Sequence, residues 1–133
     1  MFKKLFLVLT ATILLTNCSN GQTKGDAELL SATEFASKVN EVPNAVIIDV
    51  RTPGEFESGH LINALNYNWN GDSFEQQISQ LDKSKPVFVY CLSGGRSAAA
   101  VSKLKANSFE VVYELEGGIK NWRVEKLPES TKN

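Results

Sequence analysis

The sequence has few of the residues from which metal centres are built: its 133 residues include two cysteines and one histidine. These cannot supply a four-ligand zinc site of Cys and His alone, and neither a metal nor a cofactor is expected. An excess of basic residues is also lacking, since 14 Lys and Arg stand against 15 Asp and Glu. This balance excludes the electrostatic footprint of a dedicated nucleic-acid-binding protein. Internal repeats are absent, so a single domain is predicted.

The N-terminal segment has the pattern of an export signal. Two lysines precede an apolar run from Leu5 to Leu15, which is too short to cross a bilayer core of about 30 Å. The run ends in Leu-Thr-Asn-Cys, which resembles the lipobox of bacterial lipoproteins. That resemblance implies a signal peptide over residues 1–17 and a lipid on Cys18. Asn17 is larger than the residue usual before that cysteine, so secretion without a lipid stays open as the alternative.

A polar stretch follows the first cysteine. Ser19 to Ala27 contains two glycines and no periodic apolar face, so residues 18–27 are predicted to be the lipidated cysteine and a flexible tether. The protein is therefore expected in the periplasm or cell envelope, held on a membrane by its lipid. If Cys18 carries that lipid, Cys91 has no disulfide partner in the chain and needs a chemical explanation.

Alternating strand and helix patterns fill the rest of the chain. Apolar residues make up 42% of the sequence and charged residues 22%, which is enough to bury a core. Strands are predicted at 45–48, 86–90 and 111–115, with a weaker one at 64–67, and helices at 32–40, 53–58, 73–81 and 97–106. The pattern favours an α/β domain over residues 28–128, with a mainly parallel sheet and helices on both faces, followed by a disordered tail at 129–133.

The most unusual segment is Cys91-Leu92-Ser93-Gly94-Gly95-Arg96-Ser97, which lies between an apolar strand and a helix. Both glycines can take a positive φ, and main-chain N–H groups could then converge on the thiol. Such a cradle stabilises a thiolate and lowers the pKa of the cysteine. The guanidinium of Arg96 would add a fixed positive charge for an anionic substrate. The alternative is an inert buried cysteine followed by an ordinary glycine turn.

Three motifs in order resemble those of rhodanese-like domains. They are Asp49-Val50-Arg51 followed by Glu55-Phe56 and Gly59-His60-Leu61, then Cys91 to Arg96, then Glu116-Gly117-Gly118 with Trp122. The resemblance covers most of the chain after the tether. It implies a three-layer domain around a five-stranded, mainly parallel sheet, with helices on both faces.

The resemblance also assigns roles to the loop. It implies that Cys91 accepts a sulfur atom as a persulfide, that the loop amides of Leu92, Ser93, Gly94, Gly95 and Arg96 hold the terminal sulfur, and that Arg96 engages the donor anion. Related dual-specificity phosphatases close a loop of seven residues, whereas Cys91 to Arg96 counts six. Phosphatase activity is therefore the poorer prediction.

Four further residues are predicted to support the loop: Asp49, Arg51, Glu55 and His60. Arg51 is expected to pair with Glu55, and Asp49 to accept backbone donors. His60 is interpreted as structural, because an ionised thiolate needs no general base. The two tryptophans are expected in packing or at a pocket rim, and Gly117 and Gly118 in the turn that docks the last helix.

The leading hypothesis is a membrane-tethered sulfurtransferase. Its partners would be a small sulfur-donor anion, a thiol or cyanide-like acceptor and the membrane, with no nucleic acid, and it is expected to be a monomer. The alternatives are a non-enzymatic persulfide carrier or partner-binding module, and a redox-sensing thiol.

Overall fold

The computed structural model describes residues 27–132. The predicted signal peptide, Cys18 and all of the tether except Ala27 lie outside these residues. Of the helices between residues 27 and 132, none combines the length and apolar character that a membrane crossing needs.

The described chain forms seven strands and five helices, which alternate except where β4 directly follows β3. In order they are β1 (Glu28–Leu30), α1 (Ala32–Glu41), β2 (Val46–Asp49), α2 (Pro53–Glu57), β3 (His60–Leu61), β4 (Leu65–Asn66), α3 (Phe74–Ser79), β5 (Val87–Tyr90), α4 (Gly95–Ala106), β6 (Val112–Leu115), α5 (Gly118–Val124) and β7 (Glu129–Ser130). All the predicted helices and strands form, within one or two residues of their expected ends.

The main sheet has five strands in the order β1-β6-β5-β2-β4, and every neighbouring pair is parallel. The expected α/β domain with a mainly parallel five-stranded sheet is therefore confirmed. The sequence prediction did not include β1, which pairs with β6 at one edge.

The two faces of the sheet bury separate apolar clusters. On one face Ile47 and Phe88 pack against α1 and α5, and on the other Ile48 and Val89 pack against α3 and α4. Neighbouring residues of one strand point to opposite faces, so the continuous apolar runs of β2 and β5 are explained by burial on both sides.

The C-terminal residues 129 and 130 are ordered. Glu129 and Ser130 form β7, which pairs antiparallel with β3. Their place beside β3 contradicts the predicted disordered tail for these two residues. The side chain of Glu129 also pairs with Arg123 at 2.8 Å, which adds a contact from α5 to this strand.

A buried polar network fixes the chain after β2. Arg51, 1% exposed, donates from Nε and Nη2 to the Asp49 carboxylate at 2.7–3.0 Å and from Nη2 to the carbonyl oxygen of Gly59 at 2.7 Å. The Tyr90 hydroxyl donates to Asp49 at 2.6 Å and accepts from the Leu61 N–H at 3.0 Å. The predicted pairing of Arg51 with Glu55 is wrong, because Asp49 is two residues away and equally buried.

We predict that Arg51→Met lowers the free energy of unfolding by about 3–5 kcal/mol, because it leaves the Asp49 carboxylate buried without its guanidinium. Urea denaturation followed by circular dichroism measures the change. Arg123→Met is the matched control: its pair with Glu129 is partly exposed, so its loss should cost less than about 1 kcal/mol. Similar losses in the two variants would contradict the special importance of Arg51.

Candidate functional site

Cys91 follows the last residue of β5, at the carboxyl edge of the parallel sheet. This is the edge where α/β domains bind ligands. From there the loop of residues 92–94 turns into α4. Gly94 has a φ of 117°, which a residue with a side chain rarely adopts, whereas Gly95 is the first residue of α4. The expectation that both glycines could take positive φ is therefore met at Gly94 alone.

The thiol of Cys91 lies among hydrogen-bonding groups of the loop and of α4. The residue is 1% exposed, and its Sγ accepts from the N–H of Gly94 at 3.0 Å. The hydroxyl oxygen of Ser97, in the first turn of α4, lies 3.4 Å from the sulfur. Gly94 and Gly95 have open space where a side chain would begin, so the outer side of the loop is unobstructed there.

The environment of the sulfur favours its ionised form. Burial raises the pKa of the Cys91 thiol, but the hydrogen bonds available to the ionised sulfur, from the Ser97 hydroxyl and from the main chain at Ser97, Gly94 and Ser93, outweigh it. The net result is a pKa below the ordinary value for cysteine. The thiol is thus a stronger acid than a free cysteine, as the sequence predicts.

Helix α5 holds the loop from behind. The N–H groups of Ile119 and Lys120 donate to the carbonyl oxygens of Cys91 and Leu92 at 2.9 and 3.1 Å. A Cβ on Gly118 would stand 2.5 Å from main-chain atoms of these two residues, so only glycine permits the approach. Because α5 occupies these carbonyl groups, the main chain of the loop is fixed in the orientation that presents its N–H groups to the sulfur.

Arg96 does not offer a free positive charge. Its two terminal nitrogens donate to the two carboxylate oxygens of Glu55 at 2.7 and 2.9 Å. The hydrogen bond from Arg96 lowers the pKa of Glu55 to about 2, so the pair stays ionised at neutral pH. Glu55 also forms a capping box with Thr52 at the start of α2. A rigid helix end therefore holds the carboxylate against the loop.

The other predicted supporting residues act at a greater remove. Asp49 and Arg51 form the buried network that fixes the chain after β2. Of the four residues predicted to support the loop, Glu55 is the one that bonds to the side chain of Arg96. The His60 ring stacks on Phe56 with 3.7 Å between ring centres. Its nitrogens lie 2.8 and 3.2 Å from the carbonyl oxygens of Phe56 and Lys132.

The sequence interpretation missed Glu114, in β6. Its Oε1 accepts from the Ser97 hydroxyl at 2.7 Å, so it is one residue removed from the sulfur. The signal in the sequence is a glutamate inside a predicted apolar strand, near the carboxyl edge where the loop was expected. Without the order of the strands, that signal could not be connected to Cys91.

The tryptophans take the packing roles that were expected. Trp69 packs edge-on against Phe74, with ring centres 5.1 Å apart. Trp122 packs against Phe35 and lines a groove of about 790 Å³ beside α1, whose lining does not include Cys91.

Within residues 27–132, no group of three His, Cys, Asp or Glu side chains is arranged to hold a metal ion.

Comparison with known proteins identifies the domain. A family model described as a rhodanese-like domain matches residues 31–125. The thiosulfate sulfurtransferase GlpE of Tolumonas auensis is 30% identical over 88 residues, which cover 66% of this chain and 81% of that protein. A crystal structure of a rhodanese-related protein from Thermoplasma volcanium superposes with a TM-score of 0.69 and 28% identity, covering 79% of this chain and 99% of that one.

Other relatives are matched over smaller shares of their length. The uncharacterized protein YqhL of Bacillus subtilis is 38% identical over 78 residues, covering 59% of this chain and 60% of that protein. The tRNA uridine(34) hydroxylase of Erwinia tasmaniensis is 36% identical over 103 residues, covering 71% of this chain but 29% of that protein. The similarity to the hydroxylase thus spans less than a third of its length. Taken together with the fold and the cysteine loop, the family match shows that this chain belongs to the rhodanese-like domain family.

Proposed function

We propose that this protein is a sulfurtransferase that moves a sulfane sulfur from a donor such as thiosulfate, through a persulfide on Cys91, to a nucleophilic acceptor. The observation that carries the proposal is the bond from the Gly94 N–H to the Cys91 sulfur, at a thiol whose pKa the surroundings lower. The relative named thiosulfate sulfurtransferase supports this class of reaction.

The reaction takes place in two halves. In the first, the Cys91 thiolate attacks the outer sulfur of the donor: an S–S bond forms on Cys91, and the bond to the rest of the donor breaks. With thiosulfate, sulfite leaves with the electron pair. In the second half, cyanide or a thiolate attacks the outer sulfur of the persulfide, and Cys91 leaves as the thiolate. No other side chain needs to form a covalent bond.

The pairing of Arg96 with Glu55 defines how a donor would bind. A dianion must share the guanidinium with a carboxylate that is ionised throughout the neutral range. The attraction that Arg96 alone would exert on the donor is thereby reduced. We infer that Glu55 weakens the binding of dianionic donors relative to neutral sulfane donors.

Two alternatives differ in where the sulfur goes. In a carrier, the Cys91 persulfide would be stable and pass only to a protein partner. In a redox sensor, Cys91 would react with peroxide instead. The sensor and the transferase use the same thiolate, so what Cys91 gains separates them: oxygen after peroxide or sulfur after thiosulfate.

The place of action rests on the N-terminal sequence. We propose that the protein is exported, cleaved before Cys18 and held on a membrane of the cell envelope by a lipid on that cysteine, where it acts as a monomer. The basic residues, the short apolar run and the Leu-Thr-Asn-Cys sequence support this proposal.

We predict that Cys91→Ser abolishes sulfur transfer from thiosulfate to cyanide and the gain of one sulfur atom in the intact mass after incubation with thiosulfate. Cys18→Ser, which removes the other cysteine, is the matched control and should keep both. Transfer at the native rate in Cys91→Ser would refute the mechanism. A mass gain of oxygen after peroxide, without a gain of sulfur after thiosulfate, would favour the redox sensor.

We predict that Glu55→Gln lowers the KM for thiosulfate by about fivefold, the equivalent of roughly 1 kcal/mol for a partly exposed ion pair. Glutamine keeps the capping box but cancels the charge opposite Arg96. Glu34→Gln makes the same change in the capping box of α1, and it should leave KM unchanged. An unchanged KM in Glu55→Gln would argue that Arg96 does not contact the donor.

We predict that the protein made in a bacterial host with [³H]palmitate is labelled and enters the detergent phase on Triton X-114 partitioning. Cys18→Ser should lose both properties, because it removes the acceptor of the lipid. Labelling that persists in Cys18→Ser, or native protein that stays in the aqueous phase, would contradict the lipid anchor.

A further inference from the structure

The hydroxyl of Ser97 lies between two acids. Its oxygen is 3.4 Å from the Cys91 sulfur and 2.7 Å from Oε1 of Glu114. It is also 3.1 Å from the carbonyl oxygen of Gly94, which can accept a hydrogen bond but cannot donate one. Cys91, Ser97 and Glu114 therefore form a continuous hydrogen-bonded chain from the end of β5 through α4 to β6.

The number of protons in this chain limits its states. A serine hydroxyl has one hydrogen to donate. When Glu114 is ionised, the Ser97 hydroxyl donates its hydrogen bond to the carboxylate over 2.7 Å. The serine oxygen can then only accept a hydrogen bond from the thiol of Cys91. When Cys91 is ionised, the sulfur needs the hydroxyl hydrogen, and Ser97 can donate it only if Glu114 carries a proton of its own.

The surroundings of the two acids bring their proton affinities together. Burial raises the pKa of Glu114 by more than the bond from Ser97 lowers it, whereas the donors around Cys91 lower the pKa of the thiol. Two acids that bond to one hydroxyl are coupled, because the ionisation of either changes what the hydroxyl can donate to the other.

Three elements pack against β6 at Glu114, namely α4, β5 and β1. From α4, the guanidinium of Arg96 is bound to Glu55 and Lys103 is bound to Glu75. On the flanking strands, Val89 of β5 and Leu29 of β1 pair in register with Glu114. Glu28 pairs with Tyr113, whose side chain points to the other face of the sheet. Besides Glu114, the acid at hydrogen-bond distance from the Ser97 hydroxyl is Cys91.

We propose that Glu114 is a positioning residue that takes up, through the Ser97 hydroxyl, the proton that Cys91 releases when it becomes a thiolate. The S–H bond breaks as its proton passes to the Ser97 oxygen, and the original hydroxyl proton passes to Oε1 of Glu114. The net charge of the site does not change. The steps reverse when the thiol forms again. For sulfur transfer, the inference rests on the proposed function, since the relay would supply the attacking thiolate and later restore the resting thiol.

The pH dependence of Cys91 alkylation by iodoacetamide, followed from about pH 5 to pH 10, tests the relay because only the thiolate reacts. The native protein should show two steps, since the pair loses two protons in sequence. Glu114→Gln should show one step, with a midpoint about one pH unit below the upper native step, because the amide donates to Ser97 and frees its hydrogen for the sulfur.

Two further variants complete the experiment. Ser97→Ala should also give one step, but at a higher pH than Glu114→Gln, because the thiolate loses its hydroxyl donor. Glu116→Gln is the matched control: it removes an exposed carboxylate two residues from Glu114 and should keep both steps. Cooperative thermal unfolding identifies variants that are folded, and the isosteric Glu114→Gln decides the test if Ser97→Ala does not fold.

A single step in the native protein, or two unchanged steps in Glu114→Gln, would overturn the relay. Alkylation requires no sulfur donor, so this result is independent of turnover. Two native steps without transfer from thiosulfate would leave the relay standing while refuting the proposed sulfurtransferase. Transfer with a single native step would do the reverse.

Discussion

The convergence of hydrogen-bond donors on one buried sulfur atom is the constraint around which this domain is arranged. A thiolate removed from water is costly unless donors replace the lost hydration. The donors here are main-chain N–H groups, that of Gly94 among them, and they reach the sulfur because the chain turns sharply at Gly94. This sharp bend of the chain depends on α5, whose N–H groups donate to the carbonyl oxygens of Cys91 and Leu92.

Two polar contacts connect this loop to the rest of the fold. The buried carboxylate of Asp49 joins Arg51 and Tyr90, so the ends of the two central strands are tied together beneath the loop. Glu55 then connects the short helix α2 to Arg96. The two central strands are thus joined at their carboxyl ends, and the positive charge of Arg96 is balanced by the carboxylate of Glu55 in α2. The ion pair leaves the surroundings of the loop polar but nearly neutral.

Much of this arrangement could be predicted from the sequence because the signals are local. The capping box of Ser31 and Glu34 starts α1, and the β-branched runs form the two central strands. The Cys-to-Arg loop after a strand also identifies the site. The partner of Arg51 could not be predicted, since Asp49 and Glu55 are both within reach and only the fold decides between them. The short strand β1 and the contact from Glu114 to Ser97 depend on which strands are neighbours, and local sequence patterns do not carry that information.

The parallel order of the sheet fixes the direction in which the loop faces. Ala27 enters β1 at the amino edge of the sheet, and Cys91 leaves β5 at the opposite edge. A four-residue strand separates these edges by about 13 Å. In the tethered form proposed above, the chain from the anchor would therefore enter the domain at the edge opposite the reactive thiol. Attachment at that edge would leave the thiol edge free to face the aqueous compartment, which suits water-borne sulfur compounds.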